Sequence, residues 1–433
     1  MPETQKDDYD FIKEKIKNKP LNKRRIALQV TKTVGLAAVF GFVACLVFVL
    51  MQPVMQGWFT KEESPVVSIP SDEQIVMETE TERKTKREDE EEPAEDTEPE
   101  TQIIQVSRDM NLDDYQKIQN KLYAVGAEAN PSIVTVTGVK SDTDWFNTPY
   151  EQEGQASGII IADNGNDLLI MTEKKVIKDA ESISVTFEDG TVTDAQLRQY
   201  DGNTGIAILS VSHVQIDSAT LAKVKVAELG NSLGVSQGNV VIAAGSPLGS
   251  NFSILTGNIT STDNSVTTID NNFTVFTTDI VASSEGSGVL LNLDGQIIGL
   301  VMQDYSSSGD ENTLTAISIS DLKQIIEKLS NNQNISYLGI HMTEVTSEIE
   351  KKYGLPGGIY IKAVEMDSPA QAAGLQNGDI ITDIDDTKMQ TAKQYEQYIQ
   401  SLTPGTEIKI TIMRQENDGY TPLECQAVTG VLQ

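Results

Sequence analysis

Ser287 lies in the run Ser284-Glu285-Gly286-Ser287-Gly288-Val289. A serine hydroxyl attacks an acyl carbon only if a base takes its proton and a further group orients that base. Lys175 could serve as that base, in a Ser-Lys dyad, if burial lowered its pKa. Its neighbours Glu173 and Lys174 instead predict a wet, charged surface and an ordinary solvated lysine. His213 follows the apolar run 206–211 and reads as a surface histidine, since one imidazole without a placed nucleophile does no chemistry. Asp279 reads as a support for the loop rather than as a base. Glu285 would set a carboxylate beside any developing oxyanion. No grouping of Cys and His has zinc spacing, so neither a metal nor a cofactor is expected.

The elements that would position these residues occupy a chain of 433 residues, enough for two or three domains. Its formal charge of -31, from 33 Lys and Arg against 64 Asp and Glu, repels phosphate backbones and argues against nucleic-acid binding. The two cysteines, Cys45 and Cys425, lie far apart in sequence and in setting, so ordinary apolar cores must hold the domains.

Residues 1–33 form a basic segment, with eight Lys and Arg between Lys13 and Lys32. Val34–Met51 is an uncharged run of 18 residues, close to the length that crosses the hydrocarbon core. The basic flank predicts a cytoplasmic N-terminus. No small-x-small cleavage site follows, which favours an uncleaved single-pass helix at 34–52 over a signal peptide. The expected location is therefore the cell membrane, with the remaining domains extracytoplasmic. Residues 53–112 read as a disordered acidic linker. Between Lys61 and Glu100 there are 16 acidic and 5 basic residues and no aromatic, too little apolar surface to offset ordering entropy.

From Asn130 onward short β-branched runs alternate with turns: 132–137, 157–161, 182–187, 206–211 and 239–244. This is the pattern of a β-barrel or sandwich. Asp321–Ser330 carries Leu322, Ile325, Ile326 and Leu329 on one helical face.

The order of the pieces resembles the protease domain of the HtrA/Deg family of trypsin-like serine endopeptidases. Residues 156–161 (ASGIII) are similar to that family's GSGVII strand, 170–177 stand in place of ILTNNHVV, and 204–209 in place of TDLAVL. Residues 245–249 (GSPLG), 256–261 (TGNITS), Thr278-Asp279 and 292–299 (NLDGQIIG) continue the match. The resemblance implies a mainly β, trypsin-like double β-barrel over 113–332, and trimers are common in the family. It also locates the catalytic triad, and there this chain departs from it. Lys175 stands at the histidine position and Gly205 at the aspartate position. Gly286 takes the serine position when aligned from Asn292, and Ser287 takes it after a one-residue shift. The resemblance therefore implies an inactive homologue, with an active endopeptidase of envelope quality control as the alternative.

Residues 336–430 resemble an HtrA-type PDZ domain of α+β class. The run 368–381 (SPAQAAGLQNGDII) follows that signature closely. Ser368 and Pro369 start a short helix, and Gly374 ends it. A PDZ domain adds an extended peptide to a sheet edge and holds its C-terminus. The resemblance assigns the carboxylate to the backbone N–H groups of Leu338, Gly339 and Ile340, next to Tyr337. It assigns the apolar pocket to Ile340, Met342, Tyr395 and Ile399. The implied partners are peptide or protein C-termini, and a homotrimer or an active relative. His341 is expected to point away from the groove.

Overall fold

The computed structural model describes residues 31–32, 34–37, 39–40, 42, 66–72, 111–143, 149–306, 312–416 and 419–432. They belong to two compact units, Met1–Ser64 and Pro65–Gln433. In the first, the described residues between Thr31 and Phe42 are helical. Most of the expected membrane segment 34–52 lies outside the described residues, as does most of the linker. Among the described residues no helix is long and apolar enough to cross a membrane.

The second unit's main body opens with helix α1 (Leu112–Ala129). A capping box starts it: the Asn111 side chain accepts from the Asp114 N–H, and the Asp114 carboxylate accepts from the Asn111 N–H. Seven antiparallel strands follow: β1 (Ile133–Thr143), β2 (Pro149–Asp163), β3 (Asp167–Glu173), β4 (Ser182–Thr186), β5 (Val192–Asp194), β6 (Gln196–Tyr200) and β7 (Ile206–Ser212). They form one sheet in the order β5-β4-β1-β2-β3-β7-β6. Its edge strands β5 and β6 are joined by Ala195 alone, so the sheet curls back on itself. The next six strands are β8 (Val240–Ser246), β9 (Ser253–Thr268), β10 (Asn271–Val281), β11 (Ser287–Leu291), β12 (Ile297–Met302) and β13 (Thr313–Ser318). These close into a barrel. The double-barrel expectation thus becomes one ladder-closed barrel and one curled sheet.

The strands read as unbroken apolar runs because both of their faces are buried. Along β3, Leu168 and Ile170 point into the curled sheet's own core, while Leu169 and Met171 point into a second core shared with the barrel. On the barrel side Val241 and Ala243 fill the barrel, and Ile242 and Ala244 face the shared core. Period-two alternation therefore sorts a single apolar run into two cores. Helix α2 (Ile319–Ser330) seals the shared core with Ile319, Leu322, Ile325, Ile326 and Leu329.

The linker expectation needs a correction. Residues 66–72 run as an extended strap along α2. Val67 N–H donates to Asn331 Oδ1 at 2.9 Å, and Ile69 N–H donates to Glu327 Oε2 at 2.8 Å. Val67 and Ile69 pack on the shared core. Asp72 accepts from Ser320 Oγ and from Lys323 Nζ, the latter at 2.7 Å. The charge of the surrounding acidic stretch hid a short alternating apolar segment that has a helix to dock on.

The PDZ domain contains β14 (Ile335–Tyr337), β15 (Ile340–Val345), β16 (Gly358–Val364), β17 (Ile380–Ile384), β18 (Thr387–Lys388), helix α3 (Ala392–Ser401), β19 (Glu407–Glu416), β20 (Gly419–Val428) and β21 (Gly430–Leu432). β14 pairs with β21, and β15 is an edge strand of the main sheet. Thr391 and Gln394 form the capping box that starts α3.

Lys323 is 8% exposed and Asp72 is 12% exposed, so removing one partner leaves a buried charge unpaired. Asp72→Ala should destabilise the 65–433 unit by about 3 kcal/mol in denaturant melts, the lower end for a broken buried pair. Loss of less than about 0.5 kcal/mol would show that the strap is a loose surface contact.

Candidate functional site

β3 delivers Glu173 to the edge of the shared core, and the following helical turn, Lys174–Ile177, carries Lys175. Lys175 Nζ lies 2.7 Å from Glu173 Oε2 and 3.2 Å from Asp304 Oδ1. The Glu173 contact is close but poorly aligned for a hydrogen bond, so it counts as an ion pair by distance. Burial pushes Lys175 down, but the Glu173 and Asp304 carboxylates outweigh it and leave the ammonium harder to deprotonate than usual. A general base would need the opposite shift. Burial also raises Glu173, which the Lys175 ammonium only partly offsets.

Ser287 opens β11 and is 2% exposed. Its Oγ accepts the Ser157 N–H at 2.9 Å. Ser157 Oγ donates to Asn251 Oδ1, and Asn251 Nδ2 donates to Thr135 Oγ1. The hydroxyl is thus part of a network that ties the curled sheet to the barrel. Among the described residues no hydrogen bond joins Ser287 to Lys175.

Gly286 has no room for a side chain. A Cβ there would stand 2.7 Å from Pro247 O and 2.9 Å from Ser283 O. Its N–H donates to Ser283 O at 2.8 Å, inside a tight turn. Gly205 adopts φ +77, which strains any other residue. Asp279 accepts from Asn258 Nδ2 and the Asn258 N–H, contacts that hold its carboxyl below the usual range. His213 Nε2 lies 3.0 Å from Asp163 Oδ1, and His341 Nε2 lies 2.6 Å from Glu365 Oε1.

The backbone expected to form the PDZ cradle is already occupied from within the chain. Gly339 at φ +99 turns the backbone; a Cβ would stand 2.3 Å from Ser368 Cβ. The N–H groups of Leu338, Gly339 and Ile340 then converge on one carboxylate, at 2.7, 2.8 and 3.1 Å. That carboxylate is the Asp270 side chain, at the tip of the β9–β10 hairpin. Tyr395 Oη donates to it at 2.6 Å. Ile340, Met342, Tyr395 and Ile399 are wholly buried in the PDZ core. The side chains pack on one another, and the tyrosine hydroxyl turns to the carboxylate. Tyr337 is half-buried, in β14. Beside the cradle, Glu396 Oε1 accepts the Asn272 N–H at 2.8 Å. Burial pushes Glu396 up to about 7, despite nearby Lys393.

The family profile described as "Trypsin-like peptidase domain" matches residues 156–300, and that described as "PDZ domain" matches residues 336–421. The "Serine protease Do-like HtrA" of Lactococcus lactis subsp. cremoris (strain MG1363) is 27% identical over 364 residues, covering 77% of this chain and 87% of that protein. This chain belongs to the HtrA/Deg family. A "Probable periplasmic serine endoprotease DegP-like" of Halomonas elongata is 30% identical over 270 residues, or 61% of this chain. The chain spans about half, 54%, of that HtrA/Deg relative. The solved structure "HtrA-type protease AlgW with decapeptide" has a TM-score of 0.53 at 22% identity, covering 72% of this chain and 98% of that one. A likeness at that identity speaks for the fold alone.

Lys175 and Gly205, with Gly286 or Ser287, are the residues that the resemblance sets against the family's triad. Sequence reasoning did not find Asp270, Glu396 or the strap. Ile269-Asp270-Asn271 is legible as a hairpin turn, but nothing local tells what the turn touches.

Glu396 supplies a pH prediction. Its carboxyl is raised from an ordinary 4.5 to about 7, so the folded protein takes up a proton that the unfolded chain lacks between those values. The stability held by the protonated form is present at low pH and is lost as pH rises through that window. The melting temperature of wild type relative to Glu396→Gln should therefore fall between about pH 4.5 and 7 and level off outside it. A flat difference would remove Glu396 from the pH response.

Proposed function

We propose that this HtrA/Deg protein is a membrane-anchored pseudoprotease. Its trypsin-like part acts as a scaffold, and its PDZ domain captures polypeptide C-termini outside the cytoplasm, alone or beside an active relative. The basic-then-apolar N-terminus supports the anchor, and the carboxylate cradle supports the ligand class. The observation that carries the catalytic reading is Gly286. Aligned from Asn292, the nucleophile position falls on Gly286, where the surrounding carbonyls leave no space for a side chain and the N–H is already bonded to Ser283 O. An oxyanion hole needs such N–H groups free and aimed at the reacting oxygen. Lys175, held by two carboxylates, offers no neutral amine to the buried Ser287 hydroxyl.

Incubation of the full chain with unfolded casein and a fluorophosphonate probe should give neither cleavage nor labelling. Gly286→Ser alone should stay inactive, because no imidazole or orienting carboxylate returns with it. Labelling that Ser287→Ala abolishes would overturn the reading in favour of a Ser-Lys endopeptidase.

A further inference from the structure

Asp270 reproduces the end of a polypeptide chain. A bound C-terminus presents a carboxylate to the cradle and pairs its last N–H with the neighbouring strand. Asp270 does both. Its carboxylate takes the Leu338, Gly339 and Ile340 N–H groups, and its own N–H donates to Ile340 O at 2.8 Å. The residue is 3% exposed and sits at φ +57, a conformation that an aspartate tolerates more readily than most residues. Among the described residues no Lys, Arg or His pairs with it; its charge is met by N–H and O–H donors alone. The turn does not require this. Asn203 Nδ2 and Asn271 Nδ2 both donate to Ile269 O and brace the hairpin without any help from the carboxylate. The carboxylate's partners all belong to the PDZ domain.

We propose that Asp270 is an internal ligand that holds the PDZ cradle shut, and that a free chain end is captured only by displacing it. The inference rests on the PDZ reading above and adds its regulation. Two carboxylates cannot share the three N–H groups of one cradle. The hairpin tip must leave, and with it go the Asn272 N–H bond to Glu396 and the Gln400 bond to Asn271. Those bonds join the barrel to α3, so peptide capture is coupled to release of the PDZ domain from the barrel. The closed state lowers the apparent affinity for any outside peptide by the fraction of time the cradle stands open. The device makes the protein respond to abundant or tight-binding chain ends and ignore sparse ones.

The test uses the purified full chain in detergent and a pool of fluorescent decapeptides with apolar last residues, each as free acid and as amide. Asp270→Ala should tighten free-acid binding by at least about tenfold, since a charge-assisted cluster of bonds no longer competes. Asp270→Asn keeps the side chain's size and guards against a folding defect; it should tighten binding as well. Amides should bind neither form. In wild type, saturating peptide should expose the Asn272 amide to hydrogen exchange while Leu338 to Ile340 stay protected. Equal free-acid affinity in wild type and both variants, or an Asn272 amide that stays protected in the peptide complex, would overturn the internal-ligand proposal and leave the PDZ reading standing. Failure of every free-acid peptide to bind wild type and both variants would overturn the PDZ reading itself.

Discussion

A carboxylate removed from water must be given donors, and the Asp270 side chain is given four. That one group joins the β9–β10 hairpin to the PDZ backbone at Leu338, Gly339 and Ile340 and to the α3 side chain Tyr395. Burial raises the carboxyl and these donors pull against that rise, so the docking geometry and the charge depend on each other. Apolar packing adds to this contact, since Ile335 and Leu432 of β14 and β21 reach the shared core. Around it lie weaker joints of the same kind: Glu396 with the Asn272 N–H, and Lys393 with Asp321.

A second constraint is the shared core. Curled sheet and barrel each alternate side chains between a private core and a common one, and α2 covers the open side. The Ser157–Ser287 bond crosses the same junction. With the Ser157–Asn251 bond it fastens the curled sheet to the barrel. Lys175 follows the same logic. Its two carboxylate partners make it a fixed cation at the seam between the curled sheet and the segment that carries Asp304.

Two glycines are required by the backbone around them. Gly205 takes a left-handed backbone, and Gly286 lies against two carbonyl oxygens. At Gly286 the surrounding backbone leaves no room for a side chain.

Much of the fold was legible before any coordinates. Short β-branched runs between turns marked β1, β2, β4, β7 and β8, and the apolar face of α2 was readable residue by residue. These depend on near neighbours, whose effects a linear pattern records. The donors of the cradle came from the PDZ resemblance, which names Leu338 to Ile340 in one short stretch. The occupant was not. Asp270 reaches the cradle from 68 to 70 residues away. The strap is more distant still: Asp72 meets Lys323 across 251 positions. Local sequence determined which residues could turn, pair and bury. Which carboxylate filled the cradle, and which stretch of the acidic linker became ordered, was decided only by tertiary structure, because burying a charge or an extended segment is favourable only where distant donors and apolar surface already await it.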